Sequence, residues 1–290
     1  MGNYHYIVSS LVDYSIENDA KDFDAESLCE YLKDELTKRD FSKLKELWWF
    51  CDLRNILEVR KGKRGIYGAL SNLTEQQVEQ IIKYYSSSES DESDLAELPQ
   101  LPENIEKILL AFKDEAYATE FEINTNLPIE NTIWSAYYQM VLNSNNRFIR
   151  EWSLFDLNIR NISAAYAIRE LGGDVKKVVI SDNDIVELII QNETVPDFSL
   201  KNEFSQIDEL MQILSESDIL LKERNLDKLR IKIIDELITF DYFNLEAVLA
   251  YMVKISLLTR WSNLKPQYGK EVLEGITKQL TSKQIIDSAR

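Results

Sequence analysis

Residues whose chemistry usually supports catalysis are sparse in this sequence. His5 is the sole histidine, and Cys29 and Cys51 are the only cysteines. A zinc site of several histidines is excluded, and a Cys/His cluster or a Ser/His/Asp triad would have to use His5 itself. Two cysteines are too few for a disulfide framework. The glycines of residues 62–68 fit neither nucleotide-binding pattern, GxxxxGK[ST] or GxGxxG. We therefore expect no catalytic residue, no metal site and no cofactor.

The charge of the chain restricts its partners. With 50 acidic and 33 basic side chains, the formal net charge is -17. Such a surface repels phosphate backbones and anionic lipid head groups, which argues against nucleic acid and membrane surfaces as partners. Acidic pairs are so frequent that none of them singles out an acid/base site. The dense basic cluster comprises Arg54, Arg60, Lys61, Lys63 and Arg64, and a solvated helix end is its simplest interpretation.

A pattern of acidic and amide residues recurs three times. Asp52 and Asn55 are three apart, as are Asp241 and Asn244, and a middle copy contains Asp156 and Asn161. An offset of 85 aligns Phe-Asp at 155–156 with Phe-Asp at 240–241, and Ala-Tyr at 165–166 with Ala-Tyr at 250–251. On a helix, residues three apart share a face, and an asparagine there can hydrogen-bond across a helix pair. We interpret these positions as structural anchors of an internal repeat, because a metal site would need further ligands.

Tryptophans and one arginine are the candidate contacts with partners. Core packing is the usual role of tryptophan, but the neighbours Trp48 and Trp49 cannot both face the same core, which makes them candidates for a partner contact. Trp261 lies at the end of a predicted helix, and Arg64 belongs to the basic cluster.

The spacing of apolar residues predicts an all-α fold. Only 8 glycines and 5 prolines interrupt long stretches in which apolar residues recur every three or four positions. Asp24 and the capping box Thr74/Gln77 mark helix starts, and two long helical seams cover residues 148–166 and 226–251. The alternation in residues 4–10 instead predicts a short N-terminal strand or hairpin.

Composition suggests three helical subdomains. Residues 86–104 are rich in serine and acidic side chains and predict a mobile linker. We place an N-terminal subdomain at 1–85, a middle one at 105–195 and a C-terminal one at 196–290. The first residues do not read as a signal peptide, and no run approaches the roughly 18 apolar residues of a membrane span. We therefore expect a cytoplasmic chain that does not insert into the membrane directly.

Several segments resemble a bacterial family encoded among V-type ATPase genes. They are MGNYHYIVSSL at the start, the D-x-x-N-I helix at 52–56, FDLNIRNISAAYAIR at 155–169 and FDYFNLEAVLAYMVKISLLTRW at 240–261. That family is in turn similar to the C subunits of bacterial and archaeal rotary ATPases, called d in eukaryotes. The resemblance implies a funnel of three similar helical subdomains on the cytosolic face of the membrane rotor ring. It also implies two kinds of partner, central-stalk and rotor-ring subunits.

Two classes of function follow as expectations. The first is a non-catalytic coupling subunit of a V-type rotary ATPase in proton or sodium ion transport, peripheral to the inner membrane. The alternative is a free-standing cytosolic helical adaptor or regulator with no link to an ATPase, and copurification with ATPase subunits separates the two. A third class, an enzyme with an acidic helical cleft, would require several carboxylates that converge in one pocket.

Overall fold

The computed structural model describes residues 4–14, 23–87, 98–181 and 183–262. These residues form α-helices and one short 3₁₀ turn at Val175–Lys177, which confirms the all-α prediction. The helices are α1 His5–Ser10, α2 Ala25–Glu35, α3 Lys38–Arg60, α4 Glu75–Ser86, α5 Glu103–Lys113, α6 Glu115–Glu120, α7 Ile129–Leu142, α8 Arg147–Glu170, α9 Asp184–Gln191, α10 Ile207–Leu214, α11 Ile219–Leu237 and α12 Leu245–Ser262.

The predicted N-terminal strand is wrong, because residues 5–10 form the short helix α1. A strand needs a neighbouring strand to satisfy its backbone groups, and the described part of the chain contains none. Helical bonds satisfy them locally, while Ile7 is buried and the Tyr4 N–H donates to the Phe243 carbonyl at 2.8 Å. The segment thus packs against α12 as a helix.

Several predicted helix ends are confirmed. Asp24 accepts a hydrogen bond from the Ser27 N–H at 3.1 Å at the start of α2. Thr74 and Gln77 form the expected capping box of α4. Gly172 follows the end of α8 with a φ of 68°, a left-handed conformation that glycine adopts without steric cost.

Helix α8 lies at the centre of the fold. It packs against α7, α9, α10, α11 and α12. The predicted seam along it is confirmed, since Phe148, Ile159 and Ile162 are buried. Helix α3 packs against both α7 and α12, and most of the buried apolar side chains from the three predicted subdomains belong to one cluster. These parts of the chain therefore stabilise one another through a shared core.

The second predicted seam is wrong as a single helix. Residues 238–244 form a turn between α11 and α12, and Phe240, which the spacing places in the seam, is 87% exposed. The turn ends where the side chain of Asn244 accepts a hydrogen bond from the Ala247 N–H at 3.3 Å, which caps α12.

Only part of the predicted linker 86–104 lies within the described residues. Its residues 88–97 lie outside the described residues, and Glu103 and Asn104 already belong to α5. Asn104 donates from Nδ2 to the Ala136 carbonyl at 2.7 Å, so the end of the predicted linker is fixed to α7.

Candidate interaction surfaces

Two asparagines hold the loops that follow α3 and α8 in the same way. Asn55 donates from Nδ2 to the Ile66 carbonyl and accepts from the Ile66 N–H through Oδ1, both at 2.9 Å. Asn161 makes the same two bonds to the Ile180 carbonyl and N–H, again at 2.9 Å. We call each arrangement an amide clamp. The asparagines thus fix loops, not the register of a helix pair as the sequence pattern suggests.

One helical turn before each clamp, a second polar side chain holds the start of the next helix. Asp52 accepts from the N–H groups of Asn72 and Leu73 at 3.0 Å, just before the cap of α4. Asn158 accepts at 3.1 Å from Nδ2 of Asn183, the residue that caps α9.

The internal repeat therefore has a register different from the predicted one. Asn158 and Asn161 lie 106 residues after Asp52 and Asn55, respectively. In this register the counterpart of Asp52 is Asn158, and Asp156 has another role. The match between Phe-Asp at 155–156 and Phe-Asp at 240–241 places Asp156 at the repeat position. Sequence identity alone, however, does not show which side chain faces the loop.

Asp52 is a buried carboxyl with competing influences on its protonation. Its exposed fraction is 0%. Burial disfavours the charged form and raises the pKa of Asp52 to about 6, although the hydrogen bonds from Asn72 and Leu73 act in the opposite direction. This carboxyl therefore titrates closer to neutrality than an ordinary aspartate.

Asp156 belongs to a polar network that joins four helices. The Tyr138 hydroxyl donates to Asp156 at 2.7 Å, and Arg230 donates from Nε to Asp156 at 3.1 Å and from Nη1 to Asp227 at 3.2 Å. The Trp261 indole N–H completes the network with a bond to Asp227 at 2.7 Å. Burial raises the pKa of Tyr138 well above its ordinary value, so its hydroxyl remains a donor. Helices α7, α8, α11 and α12 are thereby held together by directional bonds.

Asp241 and Asn244 lie in the turn before α12 and form no amide clamp. Asp241 pairs with Arg147 at the start of α8 and accepts from Asn244 Nδ2 at 2.6 Å. Both residues therefore fix a helix start, whereas Asn55 and Asn161 fix a loop after a helix. The segment that follows α12 lies outside the described residues.

The predicted partner contacts have different environments. Trp48 is buried with 8% of its surface exposed, and Phe41 meets its ring edge-on at 5.7 Å. Trp49 is half-buried and packs against the same core. The indole of Trp261 is engaged by Asp227, as described above. Arg64 is the exposed member of the set and lies in the loop that Asn55 clamps.

An exposed group of aromatic residues was missed by the sequence reasoning. In the turn 238–244, which we call the aromatic turn, Phe240 is 87% and Tyr242 67% exposed. Phe243 stacks on His5 with ring centroids 3.6 Å apart. An open cleft of about 340 Å³ lies beside the turn, and the carboxylates of Asp13, Asp235 and Asp241 line it together with apolar side chains. Asp241 pairs with Arg147 and Asp235 with Lys254, so two of these three carboxylates already have a cation as partner. Three aromatic residues within the four of Phe240–Phe243 were the available signal.

The described residues contain neither a cluster of metal ligands nor a thiol of lowered pKa. No set of three or more His, Cys, Asp or Glu side chains there is arranged to hold a metal ion. Burial raises the pKa of the Cys29 thiol to about 11 and also raises that of Cys51, so both remain protonated and poorly nucleophilic at neutral pH. Across the ranges that the structure covers, no helix combines the length and apolar character needed to cross a membrane.

Comparison with known proteins identifies a family. The profile of the family described as "Protein of unknown function (DUF2764)" matches residues 1–284. No curated protein and no solved structure matches the chain. Since the matched residues span nearly the whole sequence, the chain belongs to the DUF2764 family.

Proposed function

We propose that this protein is a non-catalytic coupling subunit of a V-type rotary ATPase, which links the central stalk to the membrane rotor ring. It would be held at the cytosolic side of the membrane through its complex, without inserting into the bilayer. The observation that carries the proposal is the duplicated amide clamp, in which Asn55 and Asn161 hold equivalent loops with the same pair of bonds. A repeat of helical units is what the resemblance to the C subunits implies.

A subunit that transmits torque needs helices that do not slide against each other. Apolar packing alone is non-directional, whereas hydrogen bonds and ion pairs require one geometry. The network of Asp156, Arg230 and Asp227 ties α8 to α11, and Tyr138 and Trp261 extend it to α7 and α12. These contacts support a stiff body in which α7, α8, α11 and α12 are coupled.

Such a subunit also needs exposed anchors with which to grip its neighbours. Aromatic side chains dominate the binding energy of many protein interfaces. Phe240 and Tyr242 are exposed by 87% and 67%, although aromatic side chains are usually drawn into the core. They also belong to FDYFNLEAVLAYMVKISLLTRW, one of the segments that carry the resemblance. We therefore assign the aromatic turn as a contact with a stalk or ring subunit.

The proposal is tested by affinity purification from native membranes. The tagged chain is expressed in its own organism, membranes are washed at moderate salt, and bound proteins are quantified by mass spectrometry. The proposal predicts central-stalk and rotor-ring subunits in amounts comparable to the tagged chain. Their absence, together with another stoichiometric partner, would instead support a free-standing adaptor.

A pair of variants locates the contact. Phe240→Ser with Tyr242→Ser removes the exposed rings of the aromatic turn, and we expect it to reduce the recovery of ATPase subunits. Phe121→Ser is the matched control, because this ring is 46% exposed but lies in another part of the fold. Equal recovery with both variants would exclude the aromatic turn as the contact.

A further inference from the structure

The two clamped loops converge on the beginning of α7. Lys61, in the first loop, pairs with Glu130 at 2.8 Å. The second loop is held from the same helix, because Asn131 donates from Nδ2 to the Lys177 carbonyl at 2.9 Å. Residues far apart in sequence therefore form one continuous surface, made of 60–66, 127–131 and 174–177. We call it the basic platform.

The platform carries positive charge on an acidic protein. Residues 60–66 contain Arg60, Lys61, Lys63 and Arg64 and no acidic side chain, whereas the whole chain has a net charge of -17. All four side chains are exposed, as are Lys176 and Lys177 in the second loop. The sequence reasoning noted the first group, but it could not show that the second group lies beside it.

The positive charge of the platform is only partly neutralised within the chain. Lys61 pairs with Glu130, and Lys63 pairs with Glu58 at 3.0 Å. Within the described ranges, Arg60, Arg64, Lys176 and Lys177 form no ion pair. These cations are therefore available to a partner.

Apolar side chains are also exposed on the segments that form the platform. Ile66 is 56% exposed, although Asn55 fixes its backbone at both the N–H and the carbonyl group. Leu127, just before α7, is 40% exposed. Protein interfaces commonly combine an apolar centre with a polar rim, and a preordered backbone reduces the entropy lost on binding.

We propose that the basic platform binds an acidic, partly apolar segment of a partner protein. Cations around exposed Ile66 and Leu127 fit carboxylates that flank one or two apolar side chains. A nucleic acid or an anionic membrane would extend beyond the platform onto the rest of the protein surface. That surface would repel it, since the chain as a whole has a charge of -17. The inference rests on the proposed function only in taking the partner to be a protein.

A defined peptide tests the platform directly. The probe is a fluorescein-labelled synthetic peptide of alternating Glu and Asp with two central Leu residues, and its binding to the purified full chain is followed by fluorescence polarisation. K63E/R64E reverses two charges of the first loop and K176E/K177E two of the second. K38E/R39E is the matched control, because it makes the same charge change at the other end of α3, about 33 Å away by the rise of a helix.

We expect each platform variant to bind the peptide about tenfold more weakly, because two attractions become repulsions. The control variant should bind within about twofold of the wild type, since its charges lie beyond a Debye length of about 10 Å at 0.1 M salt. Far-UV circular dichroism and urea unfolding verify that all three variants fold. Equal loss in the control variant would show a general charge effect and overturn the proposal.

Other outcomes are equally decisive. Unchanged peptide binding in K63E/R64E or in K176E/K177E would refute a surface shared by the two loops. Binding to phosphatidylserine vesicles without binding to the peptide would make the platform a membrane contact and refute the protein partner. The proposed function is judged separately: recovery of ATPase subunits by the wild type without binding of the peptide would refute the platform inference and leave the coupling role. If the chain binds the peptide but recovers no ATPase subunits from membranes, the platform inference is supported and the proposed coupling role is refuted.

Discussion

The buried carboxyl of Asp52 should make the stability of the protein depend on pH in a direction unusual for an aspartate. Because its pKa is raised to about 6, the folded state holds this proton more tightly than the unfolded state, where the ordinary value is 3.8. The stabilising contribution is complete below the unfolded pKa and is lost as pH rises through the folded pKa. Asp52→Asn removes the titration but keeps the size of the side chain and one accepting oxygen.

The size of the effect follows from the shift in pKa. A difference of about two units corresponds to roughly 3 kcal/mol between the fully protonated and fully ionised limits. About half of this, roughly 1.5 kcal/mol, falls between pH 5 and pH 8, a window that avoids the isoelectric point near 4.6. The free energy of unfolding of the wild type, measured relative to Asp52→Asn, should therefore fall by that amount from pH 5 to pH 8.

Urea unfolding of both proteins at half-unit pH steps measures this difference, and the comparison cancels the effect of the other acidic groups. Asp24→Asn is the flat control, because hydrogen bonds from Ser27 lower the pKa of the exposed Asp24 from its ordinary 3.8, so that its titration lies below the window of pH 5 to pH 8. A difference that stays flat from pH 5 to pH 8 would refute the reasoning. It would show that the bonds from Asn72 and Leu73 offset the cost of burying the charge.

Three further predictions concern single side chains, each measured by urea unfolding. Asn161→Ala should lower the free energy of unfolding by about 3 kcal/mol, and Asn55→Ala by about 1 kcal/mol. The difference arises because Ile66 is exposed enough for water to replace the lost bonds, whereas Ile180 is buried. Equal losses in the two variants would contradict this reasoning. Arg230→Met should lower the free energy of unfolding by about 3 to 5 kcal/mol, since it removes the cation that bridges Asp156 and the buried Asp227, and a loss below about 1 kcal/mol would contradict a structural role for this bridge. Phe240→Ser should change stability by less than about 0.5 kcal/mol, and a larger loss would mean that its ring packs in the fold.

Helices whose signals are local could be predicted from the sequence. The cap at Asp24 and the capping box of Thr74 depend on residues three apart, and both are confirmed. The seam of α8 depends on a spacing repeated over several turns. At residues 226–251 the spacing of apolar residues continues unchanged from one helix into the next, so the pattern could not reveal the turn between them. Asn244 does mark it, because asparagine is a favoured helix cap.

Features that depend on tertiary structure were beyond the sequence pattern. Residues 5–10 alternate like a strand, but without a strand to pair with they form a helix that packs on α12. The amides of Asn55 and Asn161 were identified as repeat positions, yet their partners lie in loops 11 and 19 residues further on. Spacing along one helix cannot reveal such partners. The pairing of Asp156 with Arg230 likewise joins residues 74 positions apart.

The amide clamps also determine how measurements on the basic platform can be interpreted. An asparagine side chain carries no charge and has no proton to lose in the physiological range, so the bonds that Asn55 makes to Ile66 contain no group that salt screens or pH titrates directly. The backbone of the first loop should therefore keep its shape while dissolved ions weaken the attraction of its lysine and arginine side chains. For a ligand of this loop, the slope of affinity against ionic strength then measures electrostatic attraction with little contribution from a change in loop conformation.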